Sequence, residues 1–138
     1  MDFNHINYLA VLVAGVASFA LGAIWYSPVM FAKRWQNELG FTDEYLRQAN
    51  MPLVMGGSLV MMIIMALGNA ILQQAIYGAD GNLELGLKTG LMIGLFFSAT
   101  TLAINYFYQR KSLMLWLIDA LYQVFFCAIA GAIIGAWG

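Results

Sequence analysis

Charge is what this sequence has least of. Acidic and basic residues together make up 9% of its 138 residues, seven acids against six bases, for a net charge of −1. Soluble domains carry ~25% charged residues. The near-neutral balance also excludes the basic field that nucleic acid requires. Histidine and cysteine occur once each, as His5 and Cys127. One cysteine allows neither an intrachain disulfide nor a cysteine-based metal cluster, and one histidine disfavours haem pairs and histidine-rich metal sites. No cofactor and no metal are expected. Paired carboxylates and Ser–His constellations are missing as well, so an enzyme is the least supported class. A cleavable signal peptide is not expected. The opening residues MDFNHIN lack a positive n-region, and the apolar run behind them outlasts the ~7–15 residues of an h-region.

What the sequence has is apolar length. Hydrophobic residues make up 62% of the chain, more surface than a soluble domain this short can hide. Four segments, about 6–31, 52–77, 83–108 and 112–137, are each long enough for a hydrocarbon core of ~30 Å, which takes ~20 helical residues. Lipid offers the backbone no hydrogen-bond partners, and the segments lack the alternation of barrel strands. The expected fold is all-α: an integral membrane bundle of four transmembrane helices forming one domain over 1–138.

The polar stretch KRWQNELGFTDEYLRQAN joins spans one and two. Gly40 reads as a helix stop, and Thr42 with Asp43 and Glu44 as a helix start. Trp35, Leu39, Phe41, Tyr45 and Leu46 give the stretch apolar content. We expect a short cytoplasmic interfacial helical connection there, with a solvated loop as the other reading. GADGN at 78–82 reads as a turn, and Gln109-Arg110-Lys111 as a tight hairpin. Lys33, Arg34, Arg47, Arg110 and Lys111 fall on one side, leaving only Lys88 for the other. Basic residues stay cytoplasmic, so both termini are predicted outside a bacterial inner membrane.

Small residues recur every fourth position: Ala10, Ala14, Ser18 and Gly22 in span one; Gly86, Gly90, Gly94 and Ser98 in span three; Cys127, Gly131 and Gly135, with Ala128, Ala132 and Ala136, in span four. That spacing places each set on one helix face and permits close backbone approach, the means by which helices associate in lipid. The partner face lies either in the same chain or in a second copy. There are more such grooves than one bundle needs, so self-association is expected. Trp25, Trp35, Trp116 and Trp137 and most tyrosines fall near span ends, as an interfacial belt. Glu84 and Lys88 can pair one turn apart.

Polar residues at membrane depth single out one acid. Asp119 lies about two turns into span four, and such a charge at a helix centre costs ~2.5–3.5 kcal/mol. It should face the bundle or a water-filled pocket. Ser112, Asp119, Gln123 and Cys127 share one face of span four, and Asn105, Ser98 and Gly94 one face of span three. We expect these faces to meet, with Asp119 bonded to Asn105 or Tyr26. Trp25, Tyr26, Ser27, Asn105, Asp119, Tyr122 and Gln123 are therefore the candidate cavity or proton site. A structural clasp and a partner interface are the other readings. Pro28 should end or kink span one after its aromatic pair. Asn69 and Gln73 share a face of span two, and Gly56, Gly57 and Ser58 begin that span at the level of Trp25.

The run Asn7-Tyr8-Leu9-Ala10, the run Gly22-Ala23-Ile24-Trp25-Tyr26-Ser27-Pro28-Val29-Met30-Phe31 and Trp35 resemble the signature of the bacterial family known as domain of unknown function 1761. Ile104-Asn105-Tyr106, Leu117 to Gln123 and Gly131 to Trp137 resemble its second half. Gln123 departs from the His expected there, which weakens a proton role. The resemblance implies a small four-helix bacterial membrane protein and supplies no activity. Three classes of function stand open: a transporter or channel for a small solute or ion, a non-catalytic accessory or assembly subunit, and a membrane enzyme acting on lipid or quinone. The partners expected are the lipid bilayer and a second copy of the chain.

Overall fold

The computed structural model describes residues 3–137. It is helical throughout, with no strand among the described residues. Span one is α1 (Tyr8–Trp25), span two α4 (Met51–Tyr77) and span four α7 (Leu113–Trp137). Span three is built from α5 (Leu83–Met92), a π-helical turn at Ile93–Ser98 and α6 (Ala99–Tyr108). All four are long and apolar enough to cross a membrane. Between spans one and two stand α2 (Ala32–Leu39) and α3 (Asp43–Arg47).

Each span starts on a side-chain cap. The Oδ1 atoms of Asn7, Asn50 and Asn82 accept from the N–H groups of Ala10, Leu53 and Leu85, and Ser112 Oγ accepts from Leu115 N–H. A cap of this kind satisfies an orphan donor and contributes about 1 kcal/mol. Gly40 closes α2 at φ 71°, in the left-handed region, and Thr42 caps α3. Span one stops at Trp25, not at Phe31 as its apolar run implied. The chain turns through Ser27-Pro28, and Phe31 N–H returns to the Trp25 carbonyl at 3.1 Å. Proline's missing donor leaves the helix unable to continue there.

Span four is the axis of the bundle and packs against each of the other three spans and against α2. Buried positions make up 56% of its most apolar stretch, against 6% for span two. The core has two parts. At the end holding both termini it is aliphatic: Ile6, Val11, Ala14, Ala66, Ala70, Ala130 and Ile134. At the end carrying the basic connections it is aromatic: Trp25, Tyr122 and Phe126, with Ile118 and Cys127.

The small-residue stripes of spans three and four meet within the chain. A Cβ on Gly86 would collide with the Gly131 carbonyl, and one on Gly90 with the Cys127 carbonyl. Gly131 and Gly135 face Gly86 and Asn82 in return. The stripe of span one also turns inward: Ala10, Ala14 and Ser18 are fully buried, and Gly22 lies against the Tyr122 hydroxyl. Span three departs from the four-residue rhythm at one place. After Gly94 the next buried residue is Ala99, while Ser98 is only half-buried. A π turn takes in one more residue than an α turn, so the inward stripe shifts by one position beyond it.

Candidate functional site

The first turns of span four gather the polar chemistry of the basic end. Asp119 is 9% exposed. Its Oδ1 accepts the Tyr26 hydroxyl at 2.6 Å, and its Oδ2 accepts the Tyr106 hydroxyl at 2.5 Å. One carboxyl group thus ties the end of span one and the end of span three to span four. Hydroxyl donors on a carboxylate at this range are among the stronger protein hydrogen bonds. The residue before it takes part as well: the Ile118 carbonyl accepts the Trp25 indole N–H at 3.0 Å. One turn further on, the Tyr122 hydroxyl donates to the Ser18 carbonyl at 2.8 Å. Gly22, one turn after Ser18, gives the phenol room to reach that carbonyl, because a Cβ there would run into the Tyr122 hydroxyl.

Aromatic rings enclose the carboxyl. Tyr26 stands edge-on to Tyr122 at 5.4 Å and to Trp35 of α2 at 5.8 Å. Trp25 packs on Phe31 at 4.8 Å. The turn after Pro28 makes this possible, because it folds Phe31 and Trp35 back over the aromatic pair that ends span one. At the rim, Ser112 donates to Glu38 at 2.6 Å, and Glu38 also holds Arg34. The Ser112 hydroxyl, then Arg34, hold the Glu38 carboxyl below its ordinary range.

Of the residues picked out from sequence, Trp25, Tyr26, Asp119 and Tyr122 come together. Asn105 does not: it is exposed, and Tyr106 takes its place. The π turn is the cause. Eleven residues after Gly94 an uninterrupted α-helix returns to the same face, at Asn105; one extra residue in the turn hands that face to Tyr106. Ser27 donates to the Ile24 carbonyl of its own helix end, and Gln123 is half-buried, while the two phenols, not its side chain, take the Asp119 carboxyl. Tyr106 was legible as a member of the aromatic belt and of the family-like run Ile104-Asn105-Tyr106, but not as a partner of Asp119, since nothing in Ile93–Ser98 announces a π turn.

A second polar layer lies nearer the termini. Asn69 donates to the Cys127 carbonyl at 3.2 Å, and Gln73 to the Gly131 carbonyl at 3.1 Å and to Asn69 at 2.7 Å. Glu84 and Lys88 pair at 3.0 Å on the surface, where such a bridge contributes about 0–1 kcal/mol. Among the described residues, every buried side-chain nitrogen and oxygen has a hydrogen-bond partner. No three His, Cys, Asp or Glu side chains among them cluster as metal ligands would. A hollow of about 50 Å³ lies at the termini end beside His5, Asn7 and Gln73. A groove of about 240 Å³ runs between spans three and four. Asp119 lines neither.

No curated protein and no solved structure matches this chain. A family model does, over residues 9–135, nearly the whole length. The chain therefore belongs to the family described as protein of unknown function (DUF1761).

Proposed function

We propose that this chain is a non-catalytic accessory or assembly subunit of the bacterial inner membrane, with its termini outside, and that it works through helix packing with a second copy of itself as partner. The carrying observation is the state of Asp119. Both carboxyl oxygens are spent on phenols from two other spans, which supports a clasp that fixes the bundle. The remaining buried polar groups are likewise engaged within the chain. A rigid bundle of this kind offers its outer faces for work. The basic-end half of span two, Met51–Met65, has no buried residue. Gly56 and Gly57 have open space where a side chain would stand. The same glycine face on two copies makes a self-complementary two-fold contact with close backbone approach.

Transport of a small solute or ion is the second reading. It is favoured by one observation: Asp119 is a carboxyl group buried at membrane depth. One reconstitution separates the two. The full chain in liposomes loaded with a pH-sensitive dye should leak protons no faster than empty vesicles. Leu53→Cys on a Cys127→Ala background should cross-link to a dimer on oxidation, and Gly57→Leu should abolish the cross-link. A monomer whose proton or solute flux disappears in Asp119→Asn would overturn the packing reading.

A further inference from the structure

The groove between spans three and four is a place the clasp does not use. Leu95, Ala99 and Ala103 wall it from one side, and Trp116, Ala120 and Val124 from the other. It exists because the π turn brings alanines to the inward face, opposite another alanine on span four. Apart from Thr100 its lining is alanine, leucine, valine and Trp116, and the surface it presents is apolar. The polar atoms nearby are engaged elsewhere: the Trp116 indole N–H donates to the Ala99 carbonyl at 2.9 Å, and the Thr100 hydroxyl to the Phe96 carbonyl at 2.7 Å. At about 240 Å³ the groove is smaller than the ~300–1,000 Å³ of drug-sized ligand pockets. A thin, flexible, apolar occupant fits it better than a compact one.

Charge indicates what that occupant carries at its head. The hairpin that joins the two walls holds Arg110, at φ 58°, and Lys111, both at least partly exposed. By helical rise, Arg110 lies about 10 Å beyond Ala103, and Lys111 about 7–8 Å before Trp116. The acid of α2 that reaches the start of span four, Glu38, is already held by Ser112 and Arg34. An open apolar slot that seats part of a hydrocarbon tail, with two cations towards one end, is complementary to a lipid with an acidic headgroup. We propose that this groove binds one acyl tail of an anionic phospholipid, with the headgroup phosphate held by Arg110 and Lys111. The site is independent of the dimer face on span two.

The test is native mass spectrometry of the full chain in detergent, titrated with dioleoyl phosphatidylglycerol or dioleoyl phosphatidylcholine. One phosphatidylglycerol should be retained at lipid concentrations about twenty-five-fold lower than phosphatidylcholine, since each of the two basic residues contributes about fivefold towards a headgroup of net negative charge and the choline cation offsets the phosphate of phosphatidylcholine. Arg110→Glu with Lys111→Glu should erase the preference without removing the tail site. Ala103→Phe should weaken retention of both lipids about tenfold by filling the groove. If Ala103→Phe is not monodisperse, Leu95→Trp tests the same point from the exposed rim. Equal retention of the two lipids by the native chain overturns the headgroup assignment. Unchanged retention in the filled-groove variant overturns the groove, as does a dimer lost on filling it, which would make the occupant a helix of a second copy.

Discussion

The two halves of span four are held by opposite means. Towards the termini, Gly131 and Gly135 meet span three with no side chain between the backbones. Towards the basic connections, the contacts are large aromatic rings fixed by hydrogen bonds to Asp119, to the Ile118 carbonyl and to the Ser18 carbonyl. The glycine seam is stabilised by dispersion over a close, shape-matched surface, and it tolerates no added atom. The aromatic clasp is stabilised by a few directional bonds in a medium of low dielectric, and it tolerates no lost acceptor. Additions should therefore damage one half and deletions the other.

Asp119→Ala should give the largest effect. It leaves two phenols without their acceptor, at a cost of about 3–5 kcal/mol. Unfolding in a detergent titration measures the loss. Hydrogen exchange should accelerate around Tyr26 and Tyr106 while the amides near Gly86 and Gly90 stay protected. Equal acceleration at both ends would show that the two halves do not differ as argued.

Gly90→Ala sharpens the other side. Its Cβ would meet the Cys127 carbonyl and the Ala128 backbone, and backbone has nowhere to move, so a loss of about 1–3 kcal/mol is expected. Gly68→Ala, beyond the glycine face at the other end of span two, is the control: nothing stands within reach of its Cβ, and the better helix propensity of alanine should raise helix stability by about 0.5–1 kcal/mol. The same chemical change then has opposite signs in two spans, read in one thermal-unfolding series. Tyr106→Phe comes next. It removes one of two hydroxyl donors while keeping the ring, and about 1–2 kcal/mol should be lost. A Tyr26→Phe variant with the same loss would show that the two arms of the clasp are equivalent.

How much of this was legible in the letters depends on whether the helix stays regular. The spans follow from apolar length, the glycine seam and the Asn69–Gln73 layer from counting by fours, and α4 and α7 are uninterrupted helices. The end of span one was legible in kind, because Pro28 marks it, but the run of apolar residues through Phe31 overstated its length. Asp119 was recognisable from cost alone, and Tyr26 followed from depth. Tyr106 was not, because the π turn at Ile93–Ser98 leaves no residue signature and shifts everything after it by one position. Asn105 is the polar residue a regular helix would have presented, and the exposed face it occupies instead is the measure of that shift.

The smallest expected effect lies where the clasp reaches the surface. Glu38 accepts from Ser112 and pairs with Arg34, and these two partners, Ser112 first, lower its carboxyl from the ordinary 4.5. A carboxyl lowered in the folded state adds stability that is fully present above its unfolded value and disappears as the pH falls through its folded value. Thermal stability should therefore fall slightly below about pH 4.5, and Ser112→Ala should flatten that fall by removing the leading cause. Because Asp119 is shielded by rings and Glu38 is only partly buried, with its partner Arg34 exposed, added salt should weaken the contribution of Glu38 and leave the loss in Asp119→Ala unchanged. If salt shifts both alike, the carboxyl on span four is wetter than its two phenols imply, and the contrast between a sheltered clasp and an exposed one no longer holds.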